Sequence, residues 1–198
     1  MTPKPAERLT HAEIQTVSDI VITLSVHYAV WAELTLLETS YEHRVTQLRY
    51  RDFIKASKMA HFNAFCSLTT KLCQRDRDVI GMDDIVSTMR KIDNPLANEI
   101  VDFREKLNPI VHRIRRARTR LFDHQELSET SRDLLSWINL EQIDLIAFVQ
   151  ACQLLMSKVV ESVGLCTGND FFDEVETAEL RAAQDVRRVF DVLAERRK

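Results

Sequence analysis

Residues 14–41 of the chain read IQTVSDIVITLSVHYAVWAELTLLETSY, and this stretch decides the fold class. Its apolar residues recur at steps of three and four, which is the period of an α-helix. They form two stripes, the first made of Ile14, Val17, Val21, Leu24, Tyr28 and Trp31, and the second of Val26, Val30, Leu34, Leu37 and Tyr41. A helix with two apolar faces lies in the centre of a bundle or is shared with another chain. We predict this helix from about Thr10 to Arg44.

The same period continues through the rest of the sequence. We expect further helices from about Tyr50 to Arg75, from Asp83 or Asp84 to Lys91, from Asn94 onward, from Leu140 to Val163 and from Asp173 to Glu195. Asn94 followed by Pro95 predicts a helix start, because proline lacks the amide that would be unpaired there. The pair returns at Asn108-Pro109, so either a second helix begins at that point or one long helix kinks.

The later helix boundaries have local signals of their own. Asn139 with Gln142 three residues on resembles a capping box and predicts the start of the fifth helix. Gly164 and Gly168 predict its end.

Composition supports an all-helical fold. The 198 residues include only 3 glycines and 4 prolines, so the chain has few tight turns. Hairpin-rich β folds and glycine-rich phosphate loops are therefore excluded as main features. There is no repeat or linker, and residues 1–198 are predicted to form a single all-α domain, a bundle of five or six helices.

The cysteines and the termini indicate the compartment. Cys66, Cys73, Cys152 and Cys166 form no Cys-x-x-Cys pair and have no zinc-finger spacing, so we expect buried free thiols in a reducing environment. The most apolar stretch, 20–37, contains His27 and Glu33, which makes it too polar for a membrane span. We predict a cytoplasmic protein that does not bind membranes.

The other histidines and the acidic residues suggest neither a metal site nor a cofactor. His27 and His61 lie on long helices and are expected in core or boundary positions, and His43 on an exposed one. Asp76, Asp78, Asp83 and Asp84 lack the alternate ligand pattern of a calcium loop and are expected to be caps or solvated charges.

One segment concentrates positive charge in a chain whose net charge is −3. Between positions 113 and 120 stand five arginines and no acid: Arg113, Arg115, Arg116, Arg118 and Arg120. Arginine suits bidentate contact with phosphate. Asp123 and His124 follow directly, and histidine is the natural acid–base group near neutral pH. Two interpretations stand: a phosphodiester-cleaving site, or a solvated helix face whose arginine stems cover apolar neighbours.

The segment Arg118-Thr119-Arg120-Leu121-Phe122-Asp123-His124 resembles the signature of the HEPN family, an arginine, an adjacent polar residue and a later histidine. Other parts of the chain, between about 20 and 160, resemble the abortive-infection (AbiU-like) subgroup. These are Trp31 in the first helix, FIKASKMA at 53–60, LTTKLCQRD at 68–76 and MDDIV at 82–86.

The resemblance implies an α-helical dimer that acts as a metal-independent ribonuclease in a toxin–antitoxin or phage-defence role. By the motif match, Arg118 would stabilise charge on the phosphate, His124 would move the 2′-OH proton, and Thr119 would position the phosphate. The remaining arginines, Arg113, Arg115, Arg116 and Arg120, would bind RNA. The chain departs from the pattern at Asp123, where a small residue is common. An acid there either orients the imidazole and raises its pKa or repels the scissile phosphate.

Helix geometry bears on the motif. Residues six apart on a straight helix are rotated by about 240°, so Arg118 and His124 would not share a face, whereas Arg120 and His124 would. The helix must therefore end near Phe122, or a second subunit must complete the site. We expect a symmetric homodimer with RNA as partner. The alternatives are a non-catalytic RNA-binding module and a scaffold dimer that binds a protein such as an antitoxin.

Overall fold

The computed structural model describes residues 9–39, 49–73, 80–123 and 139–195, with the backbone alone at residues 39 and 120–123. These residues form six helices and no strand: α1 His11–Thr39, α2 Arg51–Cys73, α3 Met82–Ile92, α4 Asn94–Asp123, α5 Gln142–Ser162 and α6 Gly168–Glu195. The prediction of an all-α bundle with five or six helices is confirmed.

Helix α1 is the centre of the bundle, and its two apolar stripes are covered from different sides. It packs against α2, α5 and α6. The first stripe belongs to the main core, in which Val17, Val21 and Leu24 are 0% exposed. The second stripe forms a smaller cluster with Ile54 of α2 and Phe190 of α6. Of the two placements left open by the sequence, the central one is found, since Val30, Leu34 and Leu37 of the second stripe are buried within one chain. Val26 is only partly buried, and Tyr41 lies outside the described residues.

Aromatic side chains join the three helices of the main core. The rings of Trp31 on α1 and Phe62 on α2 lie 5.5 Å apart, and Phe65 meets Phe148 of α5 edge-on at 6.2 Å. All four side chains are at most 2% exposed. Burying one such side chain stabilises the fold by about 1.5–3 kcal/mol, so this cluster fixes the register of α1, α2 and α5.

The first residues of α3 and α4 differ from the predicted ones by one to a few positions. The Leu96 amide donates to Asp93 Oδ1 at 3.0 Å, so Asp93 is the N-cap of α4 and Asn94 is its first residue. Similarly, Gly81 is the N-cap of α3, and its amide donates to the Asp84 carboxylate at 3.0 Å. The two acids 83 and 84 therefore lie in the first turn of α3 and are not its cap. Pro109 lies inside α4, so Asn108-Pro109 starts no new helix.

The cap predicted for α5 was wrong. The N-cap is Glu141, whose amide donates to Asp144 Oδ2 at 3.0 Å. Asn139 instead adopts a left-handed conformation with φ of 52°, which asparagine tolerates better than most residues.

The two glycines after α5 have different roles. Gly164, at φ of 71°, ends the helix as predicted, with the Leu165 amide bonded to the Val160 carbonyl at 2.9 Å. Gly168 ends nothing and begins α6, because Thr167 and Asp170 form a reciprocal cap with bonds of 3.1 and 3.2 Å. Helix α6 therefore starts before Asp173, where the sequence placed it.

The cysteines are all free, as predicted. Cys66 and Cys152 are buried, whereas Cys73 and Cys166 keep part of their surface exposed.

Candidate functional site

The arginine-rich half of α4 is oriented by three buried apolar residues. Val111, Ile114 and Ala117 recur every three residues and are at most 4% exposed. This spacing turns one face of the helix into the core and leaves its neighbours on the flanks. Arg113, Arg115 and Arg118 lie on those flanks and are partly buried, whereas Arg116 is exposed. The four arginines whose side chains the structure describes therefore do not form one uniform solvated surface.

Arg113 connects α4 to the start of α5. Its guanidinium donates to the backbone carbonyl of Asn139, and Nη2 lies 3.7 Å from Asp144 Oδ2. Asp144 also accepts from the Glu141 amide, so one carboxylate serves the cap of α5 and the ion pair. The sequence assigned Arg113 to RNA, and the structure gives it partners within the protein.

Arg115 connects α4 to the end of α2. Its Nη2 donates to the carbonyl of Cys73, the last residue of α2, at 3.0 Å. A cation at this end of a helix interacts favourably with the helix dipole and pairs a carbonyl that has no partner within the helix. Burial raises the pKa of the Cys73 thiol to about 11, and the charge of Arg115 opposes that rise. Arg115 is thus also held by protein atoms.

Arg118 and Thr119, two of the three residues predicted to be catalytic, lie one turn further along α4. Arg118 is partly buried, and its charge reaches the thiol of Cys66 on α2, whose pKa is raised by burial and lowered by the arginine. Thr119 is exposed, and its hydroxyl donates to the Arg115 carbonyl at 3.1 Å. The two side chains therefore point to different sides of α4, one toward α2 and one toward solvent.

The exposed face of the same half-helix contains a residue that the sequence analysis did not single out. His112, Arg116 and Thr119 are all exposed and follow one another at spacings of four and three. That spacing places them on one side of a helix. The residue that the sequence did not single out is His112. Its spacing from Arg116 and Thr119 is visible in the sequence, but only the burial of Val111, Ile114 and Ala117 shows that this face is the exposed one.

The rest of the predicted site lies outside the described residues. This applies to His124 and to the side chains of Arg120 and Asp123. The positions predicted for His43, Asp76 and Asp78, which were not assigned to the site, also lie outside the described residues. The helical backbone of α4 extends through Phe122 to Asp123. The predicted convergence of Arg118 and His124 stays a prediction.

Two histidines meet elsewhere, between α1 and α2. Nδ1 of His27 lies 2.9 Å from Nδ1 of His61, and the ring centroids are 5.0 Å apart. Burial lowers the pKa of both imidazoles, and repulsion between them lowers that of His27 further. The core-or-boundary position predicted for each is found, but their contact was not foreseen. Among the described residues there is no cluster of three or more metal-ligating side chains.

A polar network crosses the bundle between α1, α5 and α6. The Gln153 amide donates to Ser25 Oγ at 2.9 Å and to Glu179 Oε1 at 2.8 Å. Burial raises the pKa of the Glu179 carboxyl, and its hydrogen bonds to Gln153 and Ser25 partly lower it. The network satisfies buried polar groups, so its first consequence is for stability.

Comparisons with known proteins identify no relative. No family model, no curated protein and no solved structure matches the chain.

Among the residues that the structure describes, two helices are long and apolar enough to cross a membrane, namely His11–Glu38 and Gln142–Ser162. The first meets this criterion although its His27 and Glu33 predicted that residues 20–37 are too polar for a span. In the bundle, 44% and 56% of their most apolar windows are buried, and core helices satisfy the same criteria of length and composition.

Proposed function

We propose that this chain is a metal-independent endoribonuclease of the HEPN type, acting in the cytoplasm as a toxin or phage-defence effector. The observation that carries the proposal is the position of its motif: Arg118 and Thr119 lie near the end of a long late helix in an all-α bundle, and His124 follows directly after Asp123. The resemblance to abortive-infection proteins and the local surplus of arginine support the same conclusion.

In the proposed reaction the 2′-oxygen of a ribose attacks the adjacent phosphorus. His124 accepts the proton of that 2′-OH, and Arg118 stabilises the charge that develops on the phosphoryl oxygens. The bond to the 5′-oxygen breaks, this oxygen takes up a proton from water as it leaves, and His124 afterwards releases its proton to solvent. The products are a 2′,3′-cyclic phosphate and a 5′-hydroxyl end. Thr119, which is exposed on another side of α4, positions the strand through a neighbouring phosphate.

The contacts of the arginines divide their roles in this proposal. Arg113 and Arg115 hold α4 against α5 and α2, since both are bonded to backbone carbonyls of those regions. The exposed face formed by His112, Arg116 and Thr119 is the surface that meets RNA. Positive and hydrogen-bonding side chains are the groups that contact phosphate oxygens in nucleic-acid complexes.

A homodimer would bring two motifs to one groove, and a protein antitoxin is the second partner we propose. Val30, Leu34 and Leu37 of the second stripe of α1 are buried and supply no surface for such a dimer. Ile143 and Leu154 on α5 are 62% and 49% exposed and provide an apolar surface instead. Light scattering that shows a monomer at micromolar concentration would contradict the dimer.

The second candidate function is a non-catalytic module that binds RNA or a protein. It is favoured by the contacts of Arg113 and Arg115 within the protein. Because these two arginines are bonded to backbone carbonyls, fewer cations remain for a cleavage site. Asp123 beside His124 favours it too, because a carboxylate repels the scissile phosphate.

The deciding experiment is cleavage of total RNA in EDTA by the purified protein. We expect the His124→Ala variant to lose about 10²–10⁴-fold in rate and to keep its RNA affinity. His11→Ala is the matched control, since His11 is an exposed histidine at the start of α1. Cleavage that is indifferent to His124→Ala would overturn the ribonuclease proposal. RNA binding without any cleavage would establish the second candidate.

A further inference from the structure

The contact between His27 and His61 has a geometry suited to a metal ion. Two nitrogens 2.9 Å apart that each lie about 2.0–2.1 Å from one ion subtend an angle of about 90° at that ion. This is the angle between neighbouring ligands in square-planar and octahedral complexes. A tetrahedral ion such as Zn²⁺ would need the nitrogens about 3.4 Å apart.

We propose that His27 and His61 form a two-nitrogen site for a divalent transition-metal ion of tetragonal geometry, with Cu²⁺ preferred and Ni²⁺ second. Imidazole nitrogen suits both ions, and affinity for divalent metals reaches its maximum at Cu²⁺ in the general order. The site is independent of the proposed ribonuclease activity, because it lies between α1 and α2 and uses no residue of the arginine segment.

The two ligands are held in place by rigid neighbours. Trp31, one turn after His27, and Phe62 and Phe65, beside and one turn after His61, are at most 2% exposed. Helices α1 and α2 also share the most extensive contact in the described bundle. A site on packed helices loses little conformational freedom on binding, which favours affinity.

The ion can reach the pair and bind it without a change in net protonation of the rings. Both imidazoles are only partly buried, so solvent reaches part of each ring. In the neutral pair, one Nδ1 carries the hydrogen that the other accepts. On binding, the ion releases two waters and gains two Nδ1 atoms, and the ring that carried its hydrogen on Nδ1 carries it on Nε2 instead.

Water completes the coordination sphere in this proposal. Among the described residues no carboxylate, thiol or further histidine joins the pair into a larger cluster. A site with two protein ligands is exchangeable, in contrast to a closed structural site with four. Hard cations such as Mg²⁺ and Ca²⁺, which prefer oxygen ligands, are excluded from it.

The test is titration of the tag-free, full-length protein with CuCl₂ and, separately, NiCl₂, followed by calorimetry. We expect one site per chain, which weakens by about 10²-fold in His27→Gln and in His61→Gln, because the second ligand of a pair binds intramolecularly. His11→Gln, which changes an exposed single histidine, is expected to leave the affinity unchanged. Equal binding by wild type and the His27→Gln/His61→Gln double variant would overturn the proposal.

A second measurement does not depend on whether the variants fold. Electron paramagnetic resonance of the wild-type protein with one equivalent of Cu²⁺ is expected to show coupling to two imidazole nitrogens. A spectrum with a single nitrogen, or with backbone nitrogens only, would contradict the site. Circular dichroism melting of each variant confirms that a lost site is not a lost fold.

Discussion

The carboxylate of Glu33 on the central helix accepts two parallel hydrogen bonds from Arg187 on α6. Arg187 Nε lies 2.6 Å from Oε1, and Nη2 lies 3.0 Å from Oε2. The Glu33 side chain is only 8% exposed, whereas that of Arg187 is 59% exposed. The arginine therefore reaches from solvent to neutralise a carboxylate buried on the apolar face of α1, and this pairing explains how an acid is tolerated there.

Removing the arginine is expected to destabilise the protein more than removing an ordinary surface charge. Arg187→Ala leaves the Glu33 carboxylate buried with no bidentate partner, which costs about 1–3 kcal/mol. Arg188→Ala is the matched control, since Arg188 and its partner Asp185 are both exposed and lie 3.5 Å apart. Its loss should stay within about 0.5 kcal/mol. Urea unfolding measures both, and equal stability of the two variants would refute the role assigned to Arg187.

Two phenylalanines on α2 provide a test of the core. Phe65 is 1% exposed and touches Tyr28, Phe62 and Phe148, whereas Phe53 is 56% exposed. Phe65→Ala is expected to cost about 3–5 kcal/mol through lost burial and the cavity it leaves. Phe53→Ala should change the unfolding free energy by less than about 0.5 kcal/mol. If thermal melting ranks them in the opposite order, the packing of α2 described above is wrong.

The Glu179 carboxyl predicts a pH dependence of stability. Burial raises the pKa of this group in the folded protein above its ordinary value of 4.5. Its contribution to stability is therefore fully present below the unfolded pKa and is lost as the pH rises through the folded pKa. Glu179→Gln removes this loss, so the stability of the variant relative to wild type should increase as the pH rises above about 4.5.

Urea unfolding of wild type and Glu179→Gln at a series of pH values gives the difference between their free energies of unfolding. The contributions of all other titrating groups cancel in that difference. Glu105→Gln is the control, because Glu105 is exposed on α4. A difference that stays constant with pH, or that falls as the pH rises, would show that burial does not raise the pKa of Glu179 in the folded protein.

The division of roles among the arginines predicts opposite phenotypes for two neighbours. Arg116→Ala removes an exposed cation from the proposed RNA surface, so the slope of log affinity against log salt should fall by about 0.7 for single-stranded RNA. Arg113→Ala breaks the contacts to Asn139 and Asp144, so it should lower the melting temperature and leave that slope unchanged. If the salt dependence of RNA affinity changes in Arg113→Ala and not in Arg116→Ala, then Arg113 is the RNA-binding residue and the assigned roles are wrong.

The chain's local pattern was sufficient for the helices but not for their first residues. The first stripe of α1 and the Gly164 end of α5 rest on interactions between residues a few positions apart, so they are visible in the sequence. The caps were missed because several suitable residues stand close together, as with Asp93 beside Asn94. Caps differ by only about 1 kcal/mol, and packing of the whole helix decides between them.

The candidate site residues also differ in whether the sequence or only the tertiary structure reveals their role. The sequence alone identified the arginine segment, since five cations without an acid are a feature of composition. Only the tertiary structure assigned partners to them: Arg115 bonds a carbonyl 42 positions away, and His27 meets a histidine 34 positions away. Such contacts depend on how far one helix slides and turns against another. That register is set by the combined packing of Trp31, Phe62, Phe65 and the rest of the core, and no local stretch of sequence contains it.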